Sequence, residues 1–300
     1  MTNELDILRA GCDEVAPGVH AYMVGNTSPN STIVMGGGEV MLIDALMTTR
    51  QSAGLRDAVS TLTADPVTRL IYTHRHGDHI LGAELFAETV HTVFASASTV
   101  EFVRTMQNDF IPLFAAWRRT PQDERDVLAV TKVVLPNVAV ERVASVFVGE
   151  TEVRMITQTL AHSPSDMLVL LPAHGVLCTG DIWSPRIVPG VRDGRTEGWI
   201  ARLEEIYDMD PDVLMPGHGP WTRDRFYVRE LRDFLAVAWD ATQKGAKAGK
   251  GVRDILADID LTAWSQFHGM NRYPEVIERM LEENQEHPSK YDAALAAKKG

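Results

Sequence analysis

Cysteine is scarce in this chain, and that scarcity removes several readings at once. Two cysteines, Cys12 and Cys178, in 300 residues build neither a disulfide framework nor a cysteine-rich zinc site, which points to a reducing compartment, the cytoplasm. Basic runs are missing too: no stretch of five Lys or Arg occurs and the formal net charge is −12, so nothing supplies the counterion release that drives binding to a phosphate backbone. Nucleic acid is therefore not an expected partner. No apolar stretch approaches the roughly 20 residues of a membrane span, and the acidic start Met1-Thr-Asn-Glu-Leu-Asp lacks the basic-then-apolar order of a signal peptide. No membrane partner is expected. What remains is a globular chain, 45% apolar and long enough for a substantial core, that would act on a small molecule. An assembly of identical chains is compatible with it.

What is present is concentrated. Residues 73 to 79, Thr-His-Arg-His-Gly-Asp-His, hold three imidazoles and a carboxylate directly after the apolar run Leu70-Ile71-Tyr72, which reads as the end of a buried parallel strand. Loops at the carboxyl ends of such strands gather ligands in α/β proteins. Imidazole suits zinc, iron and similar ions, and a nearby carboxylate helps hold a second cation. His74, His76, Asp78 and His79 are thus candidate metal ligands.

The flanking chain supplies a scaffold. Runs at 19 to 24, 32 to 35 and 40 to 45 read as an antiparallel meander, with Asp44 at its end as either a turn residue or an acceptor for a ligand's ring N–H. Thr48 caps a helix that lasts until Asp65-Pro66, a strand at 68 to 72 delivers the cluster, and a helix is expected to start at His79. Residues 96 to 130 are helical in tone and aromatic. They read either as an amphipathic helix packed on the core or as an insert arching over the site. A second strand group spans 146 to 179. His162 and Asp181 each follow one of its strands and are further ligand candidates, whereas His174 sits at the opposite strand end and is excluded. In Pro216-Gly-His-Gly-Pro220 the flanking glycines strip His218 of packing partners, which makes it the last candidate. Lys244 to Gly251 reads as a flexible basic loop.

The order His-x-His-x-Asp-His, then a lone His, then Gly-Asp, then Gly-His-Gly resembles the metallo-β-lactamase-fold hydrolase superfamily over about residues 17 to 221. The resemblance implies an α+β fold, a four-layer αββα sandwich of two mixed β-sheets flanked by helices. A catalytic domain would span residues 1–240 with an insert at 96–130, and a C-terminal helical extension, 241–300, would pack on the same domain. It also implies two divalent cations, one held by His74, His76 and His162, the other by Asp78, His79 and His218, with Asp181 bridging them. The donor set matches zinc, with iron or manganese as alternatives. Asp78 and Asp181 would orient the attacking water or hydroxide.

Within that superfamily the antibiotic-hydrolysing members carry Cys or Ser where Asp181 stands, and quorum-quenching lactonases carry Tyr where Ser184 stands. The chain looks most like a broad group of uncharacterised bacterial hydrolases. The expected substrate is a small ester-like molecule (carboxylic ester, lactone or thioester) in an apolar pocket of Phe110, Phe114, Trp117 and Trp183. Two alternatives are kept: a sulfate or phosphate ester hydrolase with Arg186 as an anion clamp, and a mononuclear iron sulfur dioxygenase using His74, His76 and His162.

Overall fold

A computed structural model of the chain describes residues 8–25, 27–118 and 122–299. The first sheet is seven-stranded: β1 (Gly11–Ala16), β2 (Val19–Met23), β3 (Asn30–Gly36), β4 (Glu39–Ile43), β5 (Val67–Ile71), β6 (Thr92–Ser96) and β7 (Val138–Val140), in that spatial order. Its first four strands pair antiparallel, β2 to β4 as the meander predicts with β1 added at the edge, and the rest pair parallel. The second sheet is five-stranded, in the order β12 (Val213–Pro216), β11 (Val176–Gly180), β10 (Ser165–Leu171), β9 (Thr151–Thr159), β8 (Val143–Val148). There only β11 and β12 run parallel.

Side-chain alternation along the strands builds three apolar layers. In β4 and β5, Met41, Ile43 and Ile71 face the space between the sheets, where they meet Met155, Val169, Val176 and Met215. Their neighbours Leu42 and Leu70 point outward to Leu55 and Val59, as the period of two requires. Those last two belong to α1 (Thr49–Leu62), whose N-cap Thr48 accepts from the Gln51 amide at 3.3 Å and so satisfies one orphan donor of the first turn. Cys178 is buried between the sheets and its thiol is pushed up to about 12 by burial, which makes it inert. On the second sheet's outer face lie α6 (Thr196–Asp208), α7 (Phe226–Lys247), α8 (Val252–Ala257) and α9 (Tyr273–Asn284), packed through Trp199, Leu203, Phe234, Ile255 and Ile277. The result is the expected αββα sandwich.

Several local expectations change. The helix at the site is a single turn, α2 (Gly77–Ile80), followed by a 3-10 stretch, Leu81–Phe86. Within it, the Gly82 backbone packs so closely on Ala45 and Ser52 that a β-carbon would collide with both. The 96–130 stretch forms α3 (Ala97–Met106), α4 (Phe110–Arg118) and α5 (Gln122–Leu128). Residue 240 falls inside α7, and Lys244 to Lys247 are its last turn rather than a loop. A final helix, α10 (Lys290–Lys299), returns to the first half of the chain and inserts Tyr291 into the first outer layer beside Phe102. Among the described residues no helix is long and apolar enough to cross a membrane.

Candidate metal centre

Parallel pairing of β4 with β5, and of β11 with β12, sets four strand ends on one rim of the sandwich. Asp44, the 73–79 loop, Asp181 and His218 follow those ends in turn. His162 comes from the loop joining β9 to β10, whose base is tied down where Asp166 accepts from the Ser163 amide and hydroxyl at 3.0 and 2.8 Å. Backbone bonds then stitch the two sheets together at the rim: Met167 N–H donates to Thr73 O at 2.7 Å, and Asn30 N–H to Gly217 O at 2.8 Å. Gly217 is needed because a β-carbon there would collide with Asp181 Oδ1.

All seven candidate ligands meet at this rim. Their donor atoms fall into three overlapping sets, each within 4.8 Å: His74 with His76 and His162, His74 with His79 and Asp181, and Asp78 with His79 and His218. His162 Nε2 lies 2.9 Å from His76 Nδ1. Asp181 reaches all sides, with Oδ1 3.2 Å from His79 Nε2 and Oδ2 3.5 and 3.3 Å from the Nε2 atoms of His162 and His218. His74 Nε2 is buried without a hydrogen-bond partner, and the buried His79 Nε2 and Asp181 Oδ1 meet only each other, out of hydrogen-bond alignment. Buried polar atoms are rarely left so. A set of imidazole nitrogens and carboxylate oxygens aimed at shared points fits divalent cations of the zinc, iron or manganese type.

The rings are held from behind. Asp44, at a positive φ of 61°, accepts from Thr73 N–H at 2.8 Å and Thr73 Oγ1 at 2.7 Å, and its Oδ2 lies 2.8 Å from His79 Nδ1. Such a strained residue persists only where its surroundings over-determine it. Thr73 Oγ1 in turn lies 3.0 Å from His74 Nδ1. His218 Nδ1–H donates to the Thr27 carbonyl at 2.6 Å. His76 Nε2 lies 3.3 Å from Asp193 Oδ2, and its ring is 5.1 Å from that of Tyr291. Of the two readings the sequence leaves open for Asp44, turn residue or acceptor for a ring N–H, the contact with His79 Nδ1 matches the second. Asp193 and Tyr291 carried no sequence signal, because each reaches the site through a loop or helix far along the chain.

Burial sets the protonation of the cluster. It pushes His162 down to about 3 and His74 well below the usual imidazole range, so both present neutral rings to a cation. Burial also acts on His79, but Asp181 and Asp44 outweigh it and raise this ring well above its ordinary value. Asp181, although buried, is held well below the usual carboxylate range by His218 and His79. Positive charge is thus favoured between Asp44 and Asp181, where a metal ion can take a proton's place.

The expected substrate pocket does not form as drawn. Phe110 and Phe114 are buried in the outer core, and Phe114 underlies Gly77 so closely that a β-carbon there would meet its ring at 2.8 Å. Phe114 thus braces the ligand loop, while the Phe110 ring packs edge-on against Phe102. Trp183 is fully buried, its Nε1–H donating to Tyr227 O at 3.0 Å. The side chain of Trp117 lies outside the described residues. Arg186 is engaged by Glu230 at 3.1 Å and lies over the Tyr227 ring.

Comparison with known proteins bears on this geometry. An (R)-specific secondary-alkylsulfatase of Pseudomonas sp. is 26% identical over 83% of this chain and 43% of its own length. A linear primary-alkylsulfatase of a Pseudomonas strain is 22% identical over 74% of this chain and 48% of its own. The chain spans about half the length of these curated relatives. In fold it is similar to the stereoselective inverting sec-alkylsulfatase Pisa1 of Pseudomonas sp., with a TM-score of 0.73 and 21% identity over 95% of this chain and 52% of that one. A metallo-beta-lactamase from Pontibacter korlensis gives a TM-score of 0.58 and 17% identity over 76% and 99% of the two chains. A family model matches residues 24–218, a span that contains every donor atom of the cluster, and by that match the chain belongs to the metallo-beta-lactamase superfamily.

Proposed function

We propose that this protein is a metal-dependent hydrolase of alkyl sulfate esters, with a pair of divalent cations, zinc foremost, held in the His/Asp cluster. The convergence of unpartnered, buried donor atoms carries the metal part of this reading. The alkylsulfatase relatives support a sulfate ester in place of the carboxylic ester, lactone or thioester that the sequence suggested. His74, His76 and His162 would hold one ion, Asp78, His79 and His218 the other, and Asp181 would touch both. An assembled Asp78, His79 and His218 set favours two ions over the single iron of a sulfur dioxygenase.

When bound, such a pair lowers the pKa of water and polarises an oxygen of the substrate. The chain's own residues then do the positioning. Asp44 holds the ring proton of His79 at Nδ1, Thr27 O holds that of His218 at Nδ1, and Asp193 holds that of His76 at Nε2. Each ring is thereby left with its lone pair on the atom that faces the cluster. Asp78 and Asp181 orient the attacking water, and Asp78, whose Oδ2 lies 3.7 Å from His218 Nε2, can take a proton from that water and pass it to the departing oxygen.

Metal analysis combined with a panel of alkyl sulfates tests the proposal. About two ions per chain, and sulfate release that stops on chelation and returns on zinc or manganese addition, is the expected result. One iron per chain with oxygen uptake and no sulfate release would overturn it.

A further inference from the structure

An imidazole that gives one ring nitrogen to a cation keeps its proton on the other. A buried N–H of that kind is costly unless something accepts it, so the group behind each ring bears on how well the ring serves as a ligand. Four of the five cluster imidazoles have such a group. Thr73 Oγ1 stands 3.0 Å from His74 Nδ1, Asp193 Oδ2 3.3 Å from His76 Nε2, Asp44 Oδ2 2.8 Å from His79 Nδ1 and the Thr27 carbonyl 2.6 Å from His218 Nδ1.

His162 is the exception. Its Nε2 faces the cluster, 2.9 Å from His76 Nδ1, yet its Nδ1 is buried with no hydrogen-bond partner. The ring packs edge-on against the Trp199 indole, with centroids 5.1 Å apart and planes at 78°. An indole N–H only donates, and this one is spent on Ile182 O at 2.7 Å. The carboxylate of the same loop, Asp166, is taken up by the Ser163 amide and hydroxyl. Charge divides the two ligand sets in the same sense. Apart from the shared Asp181, His74, His76 and His162 bring no carboxylate, whereas Asp78 stands with His79 and His218. The Asp193 carboxylate behind His76 is paired with Arg75, whereas Asp44 behind His79 is paired with no Lys or Arg among the described residues. A cation is therefore attracted more strongly to the Asp78 side.

We infer that the two ions are held unequally: the Asp78, His79 and His218 set takes the first and keeps it, and His74, His76 and His162 hold an exchangeable second. His162 is the weak ligand of the seven, because binding through Nε2 fixes its proton on Nδ1, where nothing accepts it. The missing acceptor corresponds to about 10- to 100-fold in metal affinity, the usual effect of losing such a group. At limiting metal the chain then carries one ion, folded but lacking the pair that hydrolysis uses, and metal supply sets the active fraction through the His162 site. The inference rests on the two-ion reading above.

The test titrates the metal-free full chain, and its His162→Ala and His218→Ala variants, with cobalt followed by absorbance and with zinc against a competing chelator. The wild type should bind two ions with Kd values about 10- to 100-fold apart. His162→Ala should lose the weaker phase and keep the tighter, whereas His218→Ala should weaken the tighter. Wild-type protein holding one equivalent of zinc gives the same answer without a variant: X-ray absorption should count two imidazoles on the ion. Three imidazoles there, two ions of equal affinity, or a weaker phase that survives His162→Ala and is lost in His218→Ala would each overturn the inference and leave the two-ion reading standing. A wild type that takes up only one ion at saturating metal would remove both.

Discussion

Arg75 and Asp193 face each other through two hydrogen bonds, 2.7 Å from Nε to Oδ2 and 2.6 Å from Nη2 to Oδ1, fully buried and 118 residues apart in sequence. Arg75 stands between two candidate ligands and points away from the cluster, whereas the same Asp193 carboxylate reaches back to His76. One ion pair therefore fixes the ligand loop from its outer side. Removing one partner of such a pair leaves a buried charge uncompensated.

Asp193→Ala is expected to cost about 3–5 kcal/mol of stability and to weaken metal binding by about tenfold or more, since His76 loses its acceptor. Denaturant titration reads the first and a competing chelator the second. The paired change Arg75→Met with Asp193→Leu should recover much of the stability, because a well-packed apolar pair can replace a buried ion pair, but not the metal affinity. Recovery of both would show that Asp193 has no role in orienting His76.

Acid should expose the same carboxylate. Burial pushes the Asp193 carboxyl up, but the hydrogen bond to His76 and the Arg75 charge outweigh it and hold it below the ordinary value of 3.8. A carboxyl depressed in the folded state contributes stability that is complete above its unfolded pKa and is lost as pH falls toward the folded one. Metal-free wild-type protein should then lose stability progressively below about pH 5, and Asp193→Asn should flatten that slope. Equal slopes in equilibrium unfolding of the two proteins would refute this.

Asp44→Ala removes the acceptor behind His79 and one behind Thr73. Loss of such an orienting carboxylate typically costs 10- to 100-fold in metal affinity, and the ion beside His79 should be the one affected. Titration with cobalt followed by absorbance would separate the two sites. Two unperturbed binding phases would contradict the role.

His162→Ala is expected to abolish hydrolysis and to lower metal content to about one ion per chain while leaving the far-ultraviolet circular dichroism unchanged. Hydrolysis at the wild-type rate would remove His162 from the ligand set.

Much of this was legible because the ligand candidates sit in short motifs after apolar runs. His74, His76, Asp78 and His79 were readable from spacing alone, and the meander and the α1 crossover followed from periodicity and Thr48. The failures share a cause. Phe110, Phe114 and Trp183 look the same in sequence whether they line a cavity or fill a core, and only the packing decides. Arg186 reads as a possible anion clamp in the sequence, yet Glu230 claims it. Asp193 meets His76 from the loop before α6 and Tyr291 because α10 folds back, and no local pattern announces either.

That return has a consequence for how the protein is made. The Arg75 guanidinium also donates to Asp292 at 2.8 Å, across 217 residues of chain, and Ser289 adds a hydroxyl bond to Asp193 at 2.5 Å. A ribosome extends a chain at about 5–20 residues per second, so the ligand loop leaves the exit tunnel well before the residues that lock it. Until residues 289 and 292 have been made, the outer side of the ligand loop lacks both of these bonds.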